Sequence, residues 1–351
     1  MCSEKTMRAW LLPRIVSLDT EPPPLVLADM PVPEPRRGEV LIRVSVCGVC
    51  HTELDEIEGR TAPPVLPVVP GHEVVGRVER VGEAAKRFTP GDRVGVGWIH
   101  SSTGQPDENL SHEFRATGRD VDGGYAEYMT VPEEYAYPIR ERFSDEQAAP
   151  LLCAGAVGHR ALKLANLRNG EPLGLSGFGG SNHLVLQLAR YLYPASKVFV
   201  FARQPAARQF ARELGAAWSG DTAERAPEQL RAIIDTTPAW KPVVEALANL
   251  SPGGRLVINA IRKEDADKQQ LLNLRYHEHL WLEKEIKSVA NVTRHDLAEF
   301  LPLAAAAELR PEIEIYPFEE ANQALLDLKQ GSVRGAKVLR ISSAAGMSGQ
   351  G

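Results

Sequence analysis

Three short segments carry the residues best suited to chemistry: Cys47-Gly48-Val49-Cys50-His51-Thr52-Glu53-Leu54-Asp55, then Gly71-His72-Glu73, then Leu151-Leu152-Cys153-Ala154-Gly155. Thiolates and imidazole are the donors zinc prefers, and three protein ligands leave the fourth tetrahedral position open for water or substrate, as a catalytic site requires. A Cys-x-x-Cys pair alone also serves redox chemistry, and Cys-x-x-Cys-His is the attachment signature of c-type haem. Haem attachment accompanies export, and Met1-Cys2-Ser3-Glu4-Lys5 lacks the basic and then apolar run of a secretory signal. A thioredoxin-like pair would need a βαβ setting, whereas this one follows an isolated β-rich run. Cys47 reads best as a small buried hydrophobe.

A second chemical stretch is Leu173-Gly174-Leu175-Ser176-Gly177-Phe178-Gly179-Gly180-Ser181-Asn182-His183, set between a strand-like run and an amphipathic, helix-like one. Glycines there let the backbone turn tightly and approach a pyrophosphate at a helix N-terminus. Gly177 and Gly179, with Gly180 beside them, match the dinucleotide-binding fingerprint, and strand before with helix after is its confirming context. The third fingerprint position falls on Asn182, expected to loosen helix packing against the strand and weaken cofactor binding. About twenty residues on, Phe201-Ala202-Arg203-Gln204 offers no carboxylate for a ribose 2′-hydroxyl. The Arg203 guanidinium can pair with a 2′-phosphate, so NADP is expected in preference to NAD.

These segments need two kinds of scaffold. With 351 residues, of which 43% are apolar and 25% charged, the chain has the composition and length of two globular domains. Residues 7–150 are rich in short Val-rich runs such as Glu39-Val40-Leu41-Ile42-Arg43-Val44-Ser45-Val46 and Val74-Val75-Gly76-Arg77-Val78-Glu79-Arg80-Val81, punctuated by Gly and by Pro clusters at 22–24, 31–35 and 63–70. That pattern predicts an irregular all-β unit. From about 155 to 290, apolar runs at 171–176, 198–201 and 256–259 alternate with amphipathic stretches at 184–192 and 206–214. This rhythm predicts an α/β domain with a doubly wound parallel sheet of the Rossmann kind. A helix is expected over 319–330, a strand over 336–341 and a mobile tail over 342–351.

Taken together, the motifs resemble the zinc-dependent alcohol dehydrogenases of the medium-chain dehydrogenase/reductase superfamily. The likeness spans nearly the whole chain, through Pro70-Gly71-His72-Glu73-Val74-Val75-Gly76, Pro90-Gly91-Asp92-Arg93-Val94, Gly123-Gly124-Tyr125-Ala126-Glu127-Tyr128, Ala149-Pro150-Leu151-Leu152-Cys153-Ala154-Gly155 and residues 331–339. The resemblance implies a GroES-like β-rich catalytic domain (1–155 and 288–351) around a Rossmann domain (156–287). It implies zinc held by Cys50, His72 and Cys153, with Glu73 either approaching the metal or orienting its neighbours. Thr52 would bond the substrate hydroxyl and start a proton relay, His51 and Arg334 would contact the cofactor pyrophosphate, and Trp98 would stand at a pocket position, though a lone Trp is commonly core. Two departures stand out. Asp55 replaces a relay histidine and reads as a plain surface acid, unable to buffer near neutrality as imidazole does. The segment after Gly97-Trp98 has Thr103 and Ser111 where many relatives have cysteines of a structural zinc, and no cysteine lies between residues 50 and 153. One zinc per subunit is therefore expected. His183 reads as a local structural residue, and His100, His112, His159, His277, His279 and His295 carry no ligand-like spacing.

The expected reaction is hydride transfer between a primary or secondary alcohol, or its aldehyde or ketone, and NADP or NAD. The rival readings are a zinc-free enone or quinone reductase of the same superfamily, and a non-enzymatic cofactor-binding protein. A formal charge of −6 argues against nucleic-acid partners and anionic membranes. No apolar run reaches the ~18 residues of a membrane span, and four cysteines are too few for a disulfide framework. A cytoplasmic homodimer or homotetramer acting on small molecules is the expectation.

Overall fold

The computed structural model describes residues 5–20, 23–331 and 334–342. The chain divides into two compact units, one of Met1–Cys153, Asn291–Ala305 and Pro311–Gly351, the other of Ala154–Ala290 and Ala306–Arg310.

The first unit is built on a seven-stranded, largely antiparallel sheet. Its path runs Ile313–Pro317, Ala336–Arg340, Glu39–Val49, Val74–Val81, Arg93–Val96 and Ala136–Pro138, with Tyr128–Pro132 also pairing to Glu39–Val49. The spine is the eleven-residue strand Glu39–Val49. Val40, Leu41, Ile42, Val44 and Val46 on it are almost entirely buried, so its β-branched run meets protein on both faces. Beyond Ile42 the strand is gripped on both sides: Cys47 pairs with Val74 and Leu339, and Gly48 with Val338. The last residues before Cys50 are thus fixed by backbone hydrogen bonds to a neighbour nearly three hundred residues away in sequence.

The second unit holds a six-stranded sheet, parallel throughout, in the order Trp218–Gly220, Val198–Phe201, Leu173–Ser176, Leu230–Asp235, Leu250–Ile258, Glu285–Ser288. The chain starts in the middle, builds outward through two strands, then returns to build on the other side. This is the doubly wound Rossmann pattern, whose switch point lies between Leu173–Ser176 and Leu230–Asp235. Helices Asn182–Leu192, Pro205–Glu213 and Lys241–Asn249 follow strands in turn. Phe199, Leu230, Ile233, Val243, Leu247 and Leu256 interlock in the core between sheet and helices.

The strand expected over 256–259 begins earlier, at Leu250, with a register shift between Leu250 and Arg255 where Gly253 and Gly254 lie. Where a helix was expected over 319–330, a short 3₁₀ turn Phe318–Glu320 precedes the helix Ala321–Lys329. Residues 343–351 of the expected mobile tail lie outside the described residues. No helix among the described residues is long and apolar enough to cross a membrane.

Candidate functional site

Cys50 stands where the spine strand ends and the short helix His51–Ile57 begins. Its backbone N–H donates to Glu53 Oε2 at 2.8 Å, so the carboxylate one turn on caps the helix and sets the direction of the Cys50 side chain. His72 and Glu73 come from the segment that feeds the neighbouring strand Val74–Val81, and both are almost wholly buried. Cys153 follows the 3₁₀ turn Ala149–Leu152. One donor atom from each of Cys50, His72, Glu73 and Cys153 lies within 4.8 Å of the others. His72 Nδ1 is 2.6 Å from Glu53 Oε1, which leaves the other ring nitrogen for the cluster, where His72 interacts with Cys50. Two half-buried thiols with a buried, oriented imidazole and a buried carboxylate around one point form a donor set that fits zinc.

The electrostatics agree. The Cys153 thiol donating to Cys50, with His72 adding to it, holds the Cys50 thiol well below its ordinary range, while the Cys50 thiolate and burial push Cys153 up. Burial opposes a charge on His72, but Glu53 and Cys50 overcome it and raise the imidazole. Burial and the Cys50 thiolate raise Glu73. A cluster holding such protons releases them when a cation arrives.

Thr52 is buried beside the cluster, its hydroxyl 3.7 Å from Cys50 Sγ. His51, the first residue of the helix, is exposed. Cys47 is fully buried, and burial pushes its thiol up, as a small core residue requires. The reading of Asp55 as a surface acid is corrected: it is 1% exposed and its Oδ1 takes a 2.6 Å ion pair from Arg60 Nε. The helix is only seven residues long and presses this side of itself inward, so the carboxylate needs a cationic partner. Two functional candidates escaped the sequence reading. Glu53 was signalled by its place three residues after the helix cap. Glu56 is 1% exposed, and burial together with the Glu53 charge raises its pKa well above normal against the opposing effect of His72 and the Trp98 indole. Trp98 is half-buried, its ring 6.2 Å from His72 and 5.6 Å from Phe114, which puts it at the cluster and not in the general core.

The lobe that follows Trp98 is organised by Glu108, which is fully buried. Its Oε2 accepts from Gly104 N at 2.9 Å and Tyr135 Oη at 2.8 Å, and its Oε1 accepts from Arg294 N at 2.6 Å. Thr103 is exposed and Ser111 half-buried. His100, expected to do no chemistry, is pushed down to about 4 by burial and stays neutral.

In the second unit, the glycine-rich turn joins strand Leu173–Ser176 to helix Asn182–Leu192. Gly177 has φ +77°, and a Cβ there would stand 2.9 Å from Thr236 Oγ1. A Cβ at Gly179 would meet nothing within 4 Å, so the backbone there borders open space of the kind a phosphate occupies. Gly180 is half-buried in the same turn. The expected loosening by Asn182 is corrected. Its fully buried amide donates to Ser176 O at 3.1 Å, Gly177 O at 2.8 Å and Thr236 Oγ1 at 3.2 Å, lacing helix to strand through hydrogen bonds instead of close packing. His183 Nδ1 lies 3.0 Å from Gly179 O, and burial pushes this imidazole down to about 4. Arg203 is exposed just past strand Val198–Phe201, and its carbonyl accepts from Arg208. Arg334 is exposed, 4.0 Å from Glu312, while Val333 beside it lies outside the described residues.

Residues 36–141 match the alcohol dehydrogenase GroES-like domain, and residues 213–339 match the zinc-binding dehydrogenase domain. A probable alcohol dehydrogenase AdhA of Mycobacterium tuberculosis is 40% identical over 96% of this chain and 98% of its own. An alcohol dehydrogenase of Geobacillus stearothermophilus is 31% identical over 90% of this chain and 96% of its own. The same fold occurs in a cobalt- and zinc-bound thermostable alcohol dehydrogenase of Pyrobaculum aerophilum (TM-score 0.83, 22% identity, 96% of this chain and 100% of that one). It occurs also in the Helicobacter pylori CAD complexed with NADP(H) (TM-score 0.81, 22% identity, 95% and 98%). With the clustered Cys50, His72, Glu73 and Cys153 in one unit and a Rossmann sheet with its glycine turn in the other, the chain belongs to the zinc-dependent alcohol dehydrogenases of the medium-chain dehydrogenase/reductase superfamily.

Proposed function

We propose that this oxidoreductase transfers hydride reversibly between a primary or secondary alcohol and NADP or NAD, with one zinc held by Cys50, His72 and Cys153. The observation that carries the reading is the convergence of these donors with Glu73 within 4.8 Å of one another. Bound there, zinc supplies Lewis acidity that polarises the substrate oxygen. Glu53 fixes the His72 tautomer by taking Nδ1, so that Nε2 faces the cluster. Thr52 Oγ1 is the hydroxyl placed to accept the substrate proton and pass it on. Asp55, tied to Arg60, does not continue the relay in the manner of an imidazole, and the proton leaves by another route. Retention of all three zinc donors weighs against an enone or quinone reductase, and the well-tied Asn182 removes the feature that had favoured a non-enzymatic role.

A single zinc is supported by the Glu108 centre, which holds the lobe with a carboxylate. Preference for NADP is supported by exposed Arg203 at a strand end without an acid; His51, Gly177, Gly179, Gly180 and Arg334 complete the proposed cofactor contacts. Homo-oligomerisation, as dimer or tetramer, is supported by the edge strand Glu285–Ser288, exposed along its length, Ile286 included, with exposed Trp281 shortly before it in the chain. The unpaired thiols Cys47, Cys50 and Cys153 suit a reducing cytoplasm. Metal analysis followed by a panel of alcohols and aldehydes, each with NADP(H) and NAD(H), tests the reading. About one zinc with turnover is the expected result, and bound zinc without turnover on any alcohol or aldehyde would overturn it.

A further inference from the structure

Gly48 sits in the spine strand two residues before Cys50, fully enclosed, with its N–H donating to Glu73 O at 2.9 Å. A Cβ built on it would lie 1.9 Å from Glu73 Oε2 and 2.8 Å from both Glu73 Cδ and Cβ. Real side chains do not approach so closely. The φ of Gly48 is not in the left-handed region, so the backbone itself would accept any residue. What makes glycine necessary is the carboxyl group resting where a side chain would be. The strand cannot easily yield instead, since Gly48 and Cys47 are held by pairing to Val338, Leu339 and Val74.

We propose that Gly48 is a positioning residue: its missing side chain is the seat that holds the Glu73 carboxylate against the Cys50, His72 and Cys153 cluster. The inference rests on the zinc reading above and goes beyond it, because the three other donors could bind the metal whatever Glu73 does. Alanine at position 48 occupies the seat and pushes the carboxylate away from the cluster without touching a thiol or the imidazole. The effect on zinc then runs through Glu73 alone.

The test is a pair of coupled measurements on the purified full chain: the rate at which zinc passes to an excess of chelator, and the visible spectrum of the cobalt-substituted protein, which reports the number and type of ligands. Gly48→Ala is expected to bind one zinc, lose it at least about tenfold faster than the wild type, and show the cobalt spectrum of Glu73→Gln. In a Glu73→Gly background, which removes the Cβ as well as the carboxylate, adding Gly48→Ala is expected to change neither readout further. An additive loss in that double variant would assign Gly48 a purely structural role and overturn the inference, as would a Gly48→Ala protein with wild-type release and spectrum. Should Gly48→Ala fold only when Glu73 is glycine, the same steric coupling is confirmed through folding yield. A wild-type protein that binds no zinc would instead overturn the zinc reading, and the two failures are distinct.

Discussion

Two buried acidic centres in the first unit, one around His72 and one around Glu108, differ in how their polar atoms are satisfied. At Glu108, both carboxyl oxygens are filled by three donors, and every one of those bonds closes a loop onto the lobe. Around His72, the buried ionisable groups lean mainly on one another: Glu53 and Cys50 act on His72, and Glu56 is pushed up by burial and the Glu53 charge. Crowding such groups out of water costs free energy, so a fold keeps them only where something else repays the cost. The first centre is architecture, and the second is a place prepared for a ligand.

The largest expected effect breaks the second centre. Cys50→Ser should lower kcat/KM by about a thousandfold and lower the zinc content, while far-UV circular dichroism stays unchanged. A thiol lost there with full activity would remove the distinction between the two centres. Glu108→Ala attacks the first centre and should do the reverse. Three donors lose their acceptor, and urea unfolding should report a loss of about 3 kcal/mol with one zinc still bound. Thr52→Ala should lower kcat by about a hundredfold and shift its pH profile, with zinc content and stability unaltered. The smallest effect concerns Glu56. Because burial raises its folded pKa above the ordinary 4.5, the folded state binds the extra proton, and stability is full below about pH 4.5 and is lost as pH rises toward the raised value. Glu56→Gln removes that loss, so at pH 8 it should stabilise the protein by about 1 kcal/mol, and the gain should vanish near pH 4. Equal urea midpoints for the two proteins at both pH values would show that Glu56 is not held protonated.

The fold was legible because its signals are local. Val-rich runs gave the spine strand, and the alternation of apolar and amphipathic segments gave the parallel sheet of the second unit. The clustered side chains were legible as residue types in three short motifs, with their reading as a ligand set coming from the resemblance. What escaped depends on burial and on distant partners. Nothing in the text around Asp55 shows that a seven-residue helix turns it inward toward Arg60. Asn182 looked like a defect because its type was compared with glycine or alanine, while its merit lies in reaching two carbonyls of the preceding strand and turn. Glu108 gathers donors 4, 27 and 186 residues away, and no window along the sequence contains them together.

The strand Ala336–Arg340 lies against Cys47 and Gly48, shortly before Cys50. During synthesis, then, Cys50, His72 and Cys153 all leave the ribosome well before the segment that completes their support. A nascent chain exposes both thiols for the time needed to make nearly two hundred further residues, about ten to forty seconds at ordinary elongation rates. The strand that flanks the cluster is therefore made last, and a chain shortened by its last twenty residues would carry all of these side chains yet lack the strand that pairs with Cys47 and Gly48.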